Sequence, residues 1–412
     1  MKVVFINKSD TRGGAAVVTL RLVQALRARG VDARMLVAEK NTGHDYVAPA
    51  APDWRLKWSF LADRLPLLLC NGFRRSTLFQ VDAALSGLPL HRHPWVQEAD
   101  AVVLGWVNQG LLSLRGIRRI GRLGKPLLWV MHDMWCMTGV CHHAHRCRSC
   151  LDCCGNCPLL GGGAGTCDLS TTLWKRKRRL YNDIDIQFVA VSRWLADRAR
   201  ESSLLGSERV AVVPNAFPEV RDLPARPERP THIIMVAARL DDPIKGLPLL
   251  AEATKAMRRL DSERAGTLHL DLVGEVRDLS RLDDLALPYT LHGTVADKSR
   301  LKELYARAGA VVSPSLFETL PGTLVEGQAL GALPVAFDRG GQRDIIDHLD
   351  TGYLAEWDED PRRAGENLAR GLLWALDRAA EPGLAQRLHD SVNRKFAAPA
   401  VADAFIHLIQ NQ

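Results

Sequence analysis

Short apolar runs rich in β-branched residues alternate along the chain with longer amphipathic stretches. Lys2 to Asn7 (KVVFIN) reads as a buried parallel strand. Thr11-Arg12-Gly13-Gly14 follows, and Ala15 to Arg29 then has helical periodicity that stops at Gly30. Asp32 to Ala38 is a second strand, and Asp100 to Trp106, Pro126 to Met131, Ile186 to Ser192 and Val210 to Val213 continue the series. The Pro-rich polar stretch Pro218 to Pro230 (PEVRDLPARPERP) has the composition of a linker. Beyond it the alternation restarts. Strands are expected at His232 to Ala238, Leu268 to Val273, Tyr289 to Gly293, Ala310 to Val312 and Leu333 to Phe337. Helices are expected at Leu249 to Leu260, Lys298 to Ala308, 362–378, 384–395 and Ala400 to Gln410. Two βα series around a linker predict an α/β fold of two facing, doubly wound, Rossmann-like domains. The boundaries read as 1–217, a linker at 218–230, a second domain at 231–395 and a C-terminal helix at 396–412.

Composition narrows this only a little. The chain has 412 residues, 47% hydrophobic and 25% charged, which suits more than one soluble globular domain. No apolar run approaches the ~20 residues that span a bilayer, and the N-terminal run is too short for a secretory signal, so a cytoplasmic setting is expected. Charge is uneven. Residues 1–220 carry 30 basic and 18 acidic side chains, and the remainder carries 24 and 29. A basic first half suits nucleic acid, an anionic membrane face or a phosphorylated substrate. Nucleic acid is disfavoured, because the basic residues are dispersed over helices and no aromatic-basic array or RNA-binding motif occurs. Residues 53–80 mix Trp, Leu, Phe and Arg; such a segment either packs on its own domain or lies on an anionic membrane surface.

The candidate chemistry centres on Ser313 to Gly331 (SPSLFETLPGTLVEGQALG). A strand, a loop closed by Pro321-Gly322 and a helix opening with small residues outline an anion site, since the first helical turn offers free N–H groups and the positive end of the dipole. Glu318 lies in that loop and Glu326 about one turn into the helix. Arg239 and Lys245 share the loop after the first strand of the second domain; a planar fork and a point charge there can hold a diphosphate. The intervening Asp241-Asp242 reads as solvated. In the first half, Gly13 and Gly14 would let a ligand approach the backbone at a helix N-terminus. His132 sits at a strand's C-terminal end, where α/β sheets bind ligands. Nine Cys are present, eight of them between Cys136 and Cys167, and in a reducing compartment such clustering favours a metal over disulfides.

Together these pieces resemble the GT-B retaining glycosyltransferases of family four: the GG loop, His132 after WVM, Arg239 with Lys245, and Glu318 with Glu326 as an E-x7-E motif around LPGTLVEG. The resemblance covers nearly the whole chain. It implies a GT-B fold whose C-terminal helix crosses back to the first domain, and a nucleotide-diphosphate sugar as donor. It implies that Glu318 contacts donor-sugar hydroxyls, Glu326 the ribose, and Arg239 and Lys245 the diphosphate. Backbone N–H groups at Gly322, Thr323 and Leu324, and Gly13 and Gly14 in the first domain, would serve the same phosphates. His132 would lie beside the reacting sugar, and the loop from His292 to Val295, with Thr294, would border the base. Fixed cations stabilise the leaving group directly, so no metal cofactor is expected in catalysis, and no DxD-like pair is placed to hold one.

The cysteine stretch is similar to transferases of exopolysaccharide assembly of the colanic-acid type, which carry HDxW, TGxC and CxxCP at like positions. Cys141, Cys147, Cys154 and Cys157 match that pattern and could bind tetrahedral zinc; Cys150, Cys153 and three nearby His (His142, His143, His145) leave the ligand set open, as they do free thiols or disulfides. The implied acceptor is a saccharide, lipid-linked or free, with an anionic membrane as a partner surface. A sugar-nucleotide epimerase shares the architecture but lacks a need for the E-x7-E, Arg and Lys set.

Overall fold

Two all-parallel sheets carry the structure, a computed structural model that describes residues 1–73, 77–160, 168–206 and 210–412. The first sheet contains β1 (Lys2–Ser9), β2 (Asp32–Glu39), β3 (Val47–Pro49), β4 (Ala101–Leu104), β5 (Leu127–Met131), β6 (Gln187–Ala190) and β7 (Val210–Val212), in the order β3-β2-β1-β4-β5-β6-β7. The second contains β8 (His232–Arg239), β9 (His269–Glu275), β10 (Tyr289–Gly293), β11 (Ala308–Ser313), β12 (Leu333–Phe337) and β13 (Tyr353–Ala355), in the order β10-β9-β8-β11-β12-β13. Helical connections cover both faces of such sheets, which is why the strands read as unbroken apolar runs; every residue of β11 and of β12 is buried. The chain's progression reverses between β1 and β4 in one sheet and between β8 and β11 in the other. In open α/β sheets that reversal opens a crevice beyond the strands' C-terminal ends.

The chain divides into two compact units, Met1–Ala216 with Ala398–Gln412, and Phe217–Ala397. The expected return of the C-terminal helix is therefore present. Ala398–Gln410 packs on the helix Gly14–Ala28, with Phe405 against Phe5 and Arg29 bonded to Asp403 at 2.6 Å. The Pro-rich stretch 218–230 is tied into the second unit: Arg226 donates to the carbonyls of Leu330 (2.8 Å) and Ala308 (2.9 Å).

The segment expected at 53–80 forms the helix Asp53–Cys70, and its amphipathicity is inverted. Its buried residues include Ser59, Asp63 and Arg64. Its exposed side presents Trp54, Trp58, Leu61, Leu65 and Leu69, each more than half exposed. Arg64 explains the polar interior. It bonds Asp63 (2.7 Å) and Asp82 through Nη2 and donates through Nη1 to the carbonyls of Leu78 and Val81 (3.0 Å each), so its charge is buried against two carboxylates and two carbonyls, while Nε has no hydrogen-bond partner among the described residues.

Candidate functional site

The loops after β8 and β11 leave the second sheet side by side, at its reversal point. Arg239 ends β8, and Asp242 caps the following 3-10 turn Pro243–Lys245 through Ile244 N (3.2 Å). Gly246 then takes φ 72°, and a Cβ there would lie 2.0 Å from the Pro314 carbonyl oxygen. Only glycine satisfies both conditions. Leu316 N donates to Ile244 O at 2.8 Å and completes the seam. The result is that Lys245 Nζ donates to Glu318 Oε1 at 2.7 Å, across 73 residues of sequence. From the other side Gly341 N donates to Glu318 O (3.1 Å), and Gly340 packs so closely that a Cβ would sit 2.4 Å from that oxygen. Glu318 is thus fixed by three loops from adjacent strands.

Asp241 is not solvated, which corrects the sequence reading for that residue, whereas Asp242 keeps 39% of its side chain exposed. Asp242 accepts from Arg239 Nη2 at 2.9 Å. Asp241, with only 9% of its side chain exposed, faces Arg239 Nε at 3.5 Å and accepts from the backbone N–H groups of Arg277 and Asp278 (3.0 and 3.1 Å). The turn after β9 supplies those donors, so the pair braces the guanidinium and links two loops.

The helix Gly322–Ala329 follows Pro321 with no side-chain cap. Leu324 N donates to Pro321 O (3.1 Å), so its N–H is committed, and only Gly322 and Thr323 are left to offer theirs to an anion. Glu326 is half-buried one turn on. Thr294 stands apart: it is exposed, directly after β10, with β9 between that strand and β8.

In the first unit Gly13 (φ 89°) and Gly14 are exposed and open the helix Gly14–Ala28, again with no side-chain cap and with open space around both Cα atoms. His132, half-buried just past β5, has Nε2 3.3 Å from Thr19 Oγ1 on that helix. Burial lowers its pKa to about 4, against the pull of Asp133, so the imidazole is neutral at pH 7. Asp133 turns elsewhere. Its Oδ2 accepts from Trp106 Nε1 (2.9 Å) and lies 2.7 Å from His142 Nδ1, and its Oδ1 accepts from Trp135 N (2.8 Å). Burial works to raise the Asp133 pKa, but His142 and the other donors hold it down to about 2.

The zinc set does not fit. Among the described residues no three His, Cys, Asp or Glu side chains converge as a metal would require, and Cys141, Cys147, Cys154 and Cys157 are all described; Cys167 lies outside the described residues. Burial pushes the thiols of Cys141 and Cys154 up to about 12 and raises that of Cys157. Cys157 packs with Leu67, Val81, Ala83, Val140, Leu160 and Leu173, and Cys154 Sγ accepts from Gly139 N (3.1 Å). What pins the stretch is Lys177, from the KRKRR run. It is fully buried, donates to the carbonyls of Trp135 (2.5 Å) and Thr138 (2.9 Å), and lies 3.4 Å over the Trp135 ring. Burial lowers its pKa to about 8, which leaves an ammonium at neutral pH. A run of five basic residues gives no sign of which one turns inward; the helical period places Lys177 on the side of Leu173 and Leu180, and that was the available signal.

Comparison with known proteins places this geometry. Residues 13–216 match the model described as a glycosyl transferase 4-like domain, and residues 231–375 match that of glycosyl transferases group 1. A curated Escherichia coli (strain K12) protein named "Putative colanic acid biosynthesis glycosyl transferase WcaC" is 24% identical over 234 residues. That match covers 53% of this chain and only about half (54%) of the relative. Among solved structures, Anabaena Alr3699/HepE in complex with UDP aligns over 100% of both chains with a TM-score of 0.62 at 14% identity. Sucrose-phosphate synthase from Thermosynechococcus elongatus aligns over 100% of this chain and 98% of its own, with a TM-score of 0.63 at 15% identity. The lipopolysaccharide outer core galactosyltransferase WaaB aligns over 100% of both, with a TM-score of 0.61 at 15%. These structures establish a shared two-domain GT-B fold.

Proposed function

The chain belongs to the glycosyltransferases that the two family models describe, and from that premise we propose that it moves a sugar from a nucleotide-diphosphate donor to a saccharide acceptor, with retention of anomeric configuration, in surface polysaccharide synthesis. The observation that carries the reading is the Lys245–Glu318 pair at the reversal point of the second sheet. In transfer the bond between the anomeric carbon and the diphosphate oxygen breaks. Negative charge grows on the leaving oxygen, and positive charge grows on the carbon. Arg239, Lys245 and the N–H groups of Gly322 and Thr323 are the fixed positive groups for that oxygen, which assigns its neutralisation to the chain itself. Without donor, Lys245 and Glu318 satisfy each other; a diphosphate would compete for Lys245 and leave Glu318 to accept from sugar hydroxyls. Glu326 is assigned to the ribose and Thr294 to the base. Neutral His132 is assigned to the transferred sugar, and Gly13 and Gly14 to a close backbone approach by the ligand. UDP and UDP-glucose are bound in the HepE structures, which supports a uridine donor here.

A thermal-shift screen of nucleotide sugars tests the donor, with stabilisation of several degrees expected from one of them. Anomeric configuration of the product, read by NMR, tests retention. Undiminished turnover in both Glu318→Ala and Lys245→Ala would sink the mechanism.

The acceptor is assigned as lipid-linked, on a membrane that the helix Asp53–Cys70 would touch. Among the described residues no helix is long and apolar enough to cross a membrane. The exposed row Trp54, Trp58, Leu61, Leu65 and Leu69 is large for a solvent face, and Arg55 and Lys57 flank it with positive charge. Arg115, Arg118, Arg176 and Arg179 surround a depression of about 430 Å³ that also holds Leu85, Leu114 and Leu180, a setting for a phosphate carried on an apolar chain. Co-sedimentation with anionic vesicles should fall sharply in Trp58→Ala/Leu65→Ser with an unchanged melting temperature; equal pelleting of both proteins would reject the surface.

A further inference from the structure

Asp271, in β9, is a fully buried carboxylate set back from the strand ends of the second sheet. Its Oδ2 accepts from His232 Nδ1 on β8 (2.8 Å) and from Arg307 Nε (3.1 Å). Its Oδ1 accepts from His292 Nε2 on β10 (2.8 Å) and from Arg307 Nη2. Burial works to raise its pKa, but bonds from His292, Arg307 and His232 hold it below the ordinary carboxylate value, so it accepts from all three as an anion. Histidines beside a carboxylate invite a cation, yet among the described residues no three ligating groups meet as a metal would require, and Arg307 already supplies the opposite charge.

What this carboxylate holds is the edge of the sheet. The register puts Leu291 opposite Leu272 and Gly293 opposite Val273, so His292 is an extra residue bulged out of the ladder. Gly293 follows with φ 63° and open space where a Cβ would stand, and Thr294 is exposed. No residue of β10 is fully buried. Apolar packing alone therefore does not fix the register of this strand, and a slip of one residue would carry Thr294 by about 3.3 Å. His269 Nε2 lies 2.8 Å from Thr290 Oγ1, but that tie comes before the bulge. The bond at the bulge itself is His292 to Asp271. Arg307 closes the other side. It ends the helix Lys298–Arg307, so both ends of the chain from His292 to Arg307 meet on one carboxylate.

The loop held in this way stands where a nucleoside would reach. Arg239 ends β8, and β10 lies two strands away, about 10 Å at a spacing of about 4.8 Å. A ribose and a base span that distance beyond a diphosphate at Arg239 and Lys245. We propose that Asp271 is a positioning residue for the donor's base: by gripping His292 and Arg307 together it fixes the bulge in β10, and with it the direction in which Gly293 and Thr294 leave the sheet. The inference rests on the nucleotide-sugar reading, but it concerns base recognition and not phosphate binding, so the two can fail separately.

The test is calorimetric titration of the full chain with UDP, CDP, GDP, ADP and inorganic diphosphate. Asp271→Asn would also strip Arg307 of its counter-charge and risk the fold, so variants of His292 carry the test. His292→Leu cannot donate to Asp271. It is expected to weaken the best nucleotide about tenfold and to leave inorganic diphosphate within about twofold of the wild type. His292→Gln brings an amide N–H close to the Nε2 position and is expected to recover most of the loss. The preference for the best nucleotide over the others should also shrink in His292→Leu, which a loss of stability alone would not cause. Equal weakening of nucleotide and diphosphate, no weakening of either, or a His292→Gln protein no better than His292→Leu would overturn the positioning role. A wild type that binds none of these nucleotides would overturn the donor reading itself, and this inference with it.

Discussion

The loops around Glu318 and the insert around Cys141 are the two stretches densest in reactive side chains, and they are built in opposite ways. At Glu318, the groups come from the ends of three adjacent strands, and each loop is forced into place by a backbone condition. Gly246 sits under the Pro314 carbonyl, Gly340 lies against Glu318 O, and Leu316 N is tied to Ile244 O. The polar groups meet because the sheet delivers them to one edge. In the insert, reactive groups lie close together in sequence, yet the fold spends them as small apolar residues and puts a lysine at the centre. Proximity along the chain made the thiols look like a site; only the fold brought Lys245 to Glu318.

Four experiments can break or sharpen that contrast. The largest effect is expected from Lys245→Ala, with turnover down about 10²–10³-fold if its charge serves the leaving group. Product release should be measured with the donor that the thermal-shift screen identifies; a loss below tenfold would make the pair structural. Next is Lys177→Met, which leaves the carbonyls of Trp135 and Thr138 buried without a donor and should cost about 2–5 kcal/mol in denaturant unfolding. EDTA should leave the same unfolding curve unmoved, and elemental analysis should find far less than one zinc per chain; stoichiometric zinc would erase the contrast. Gly246→Ala should cost about 2 kcal/mol or more, from the left-handed backbone and the collision with Pro314, and should weaken donor stabilisation with it.

The smallest effect is a pH dependence. His132 has a folded pKa of about 4 against an ordinary 6.5, so the unfolded chain binds more protons between those values. Its contribution to stability is complete above pH 6.5 and is lost as pH falls toward 4. His132→Asn should flatten that part of the melting-temperature profile, and an unchanged slope would place the titration elsewhere.

Much of the architecture was legible because a parallel strand buried on both faces must be an apolar run. The strands from Lys2, Asp32, His232 and Leu333 lie where those runs stand. The short strands Val47–Pro49 and Tyr353–Ala355 escaped notice, since three residues at a sheet edge carry too little pattern. Of the site, Arg239, Lys245 and Glu318 could be read as a set because glycines and prolines marked their loops. Asp241 could not be recognised as a brace: its partners, the N–H groups of Arg277 and Asp278, lie beyond the next strand. His142 was noticed only as a spare ligand, and nothing in the chain order says that Asp133 turns away from His132 to meet it.

The sequence by itself determined the two βα series, the break between them, and the residue types available at each strand end, because hydrophobic period and turn chemistry act over a few residues. Only the tertiary structure decided which of those groups meet. It paired Lys245 with Glu318 rather than leaving both to solvent, it buried Lys177 out of a basic run, and it put Cys136, Cys150, Cys154 and Cys157 into the interior. Burial and partnership decide whether a charge or a thiol is reactive, and both depend on elements distant in sequence.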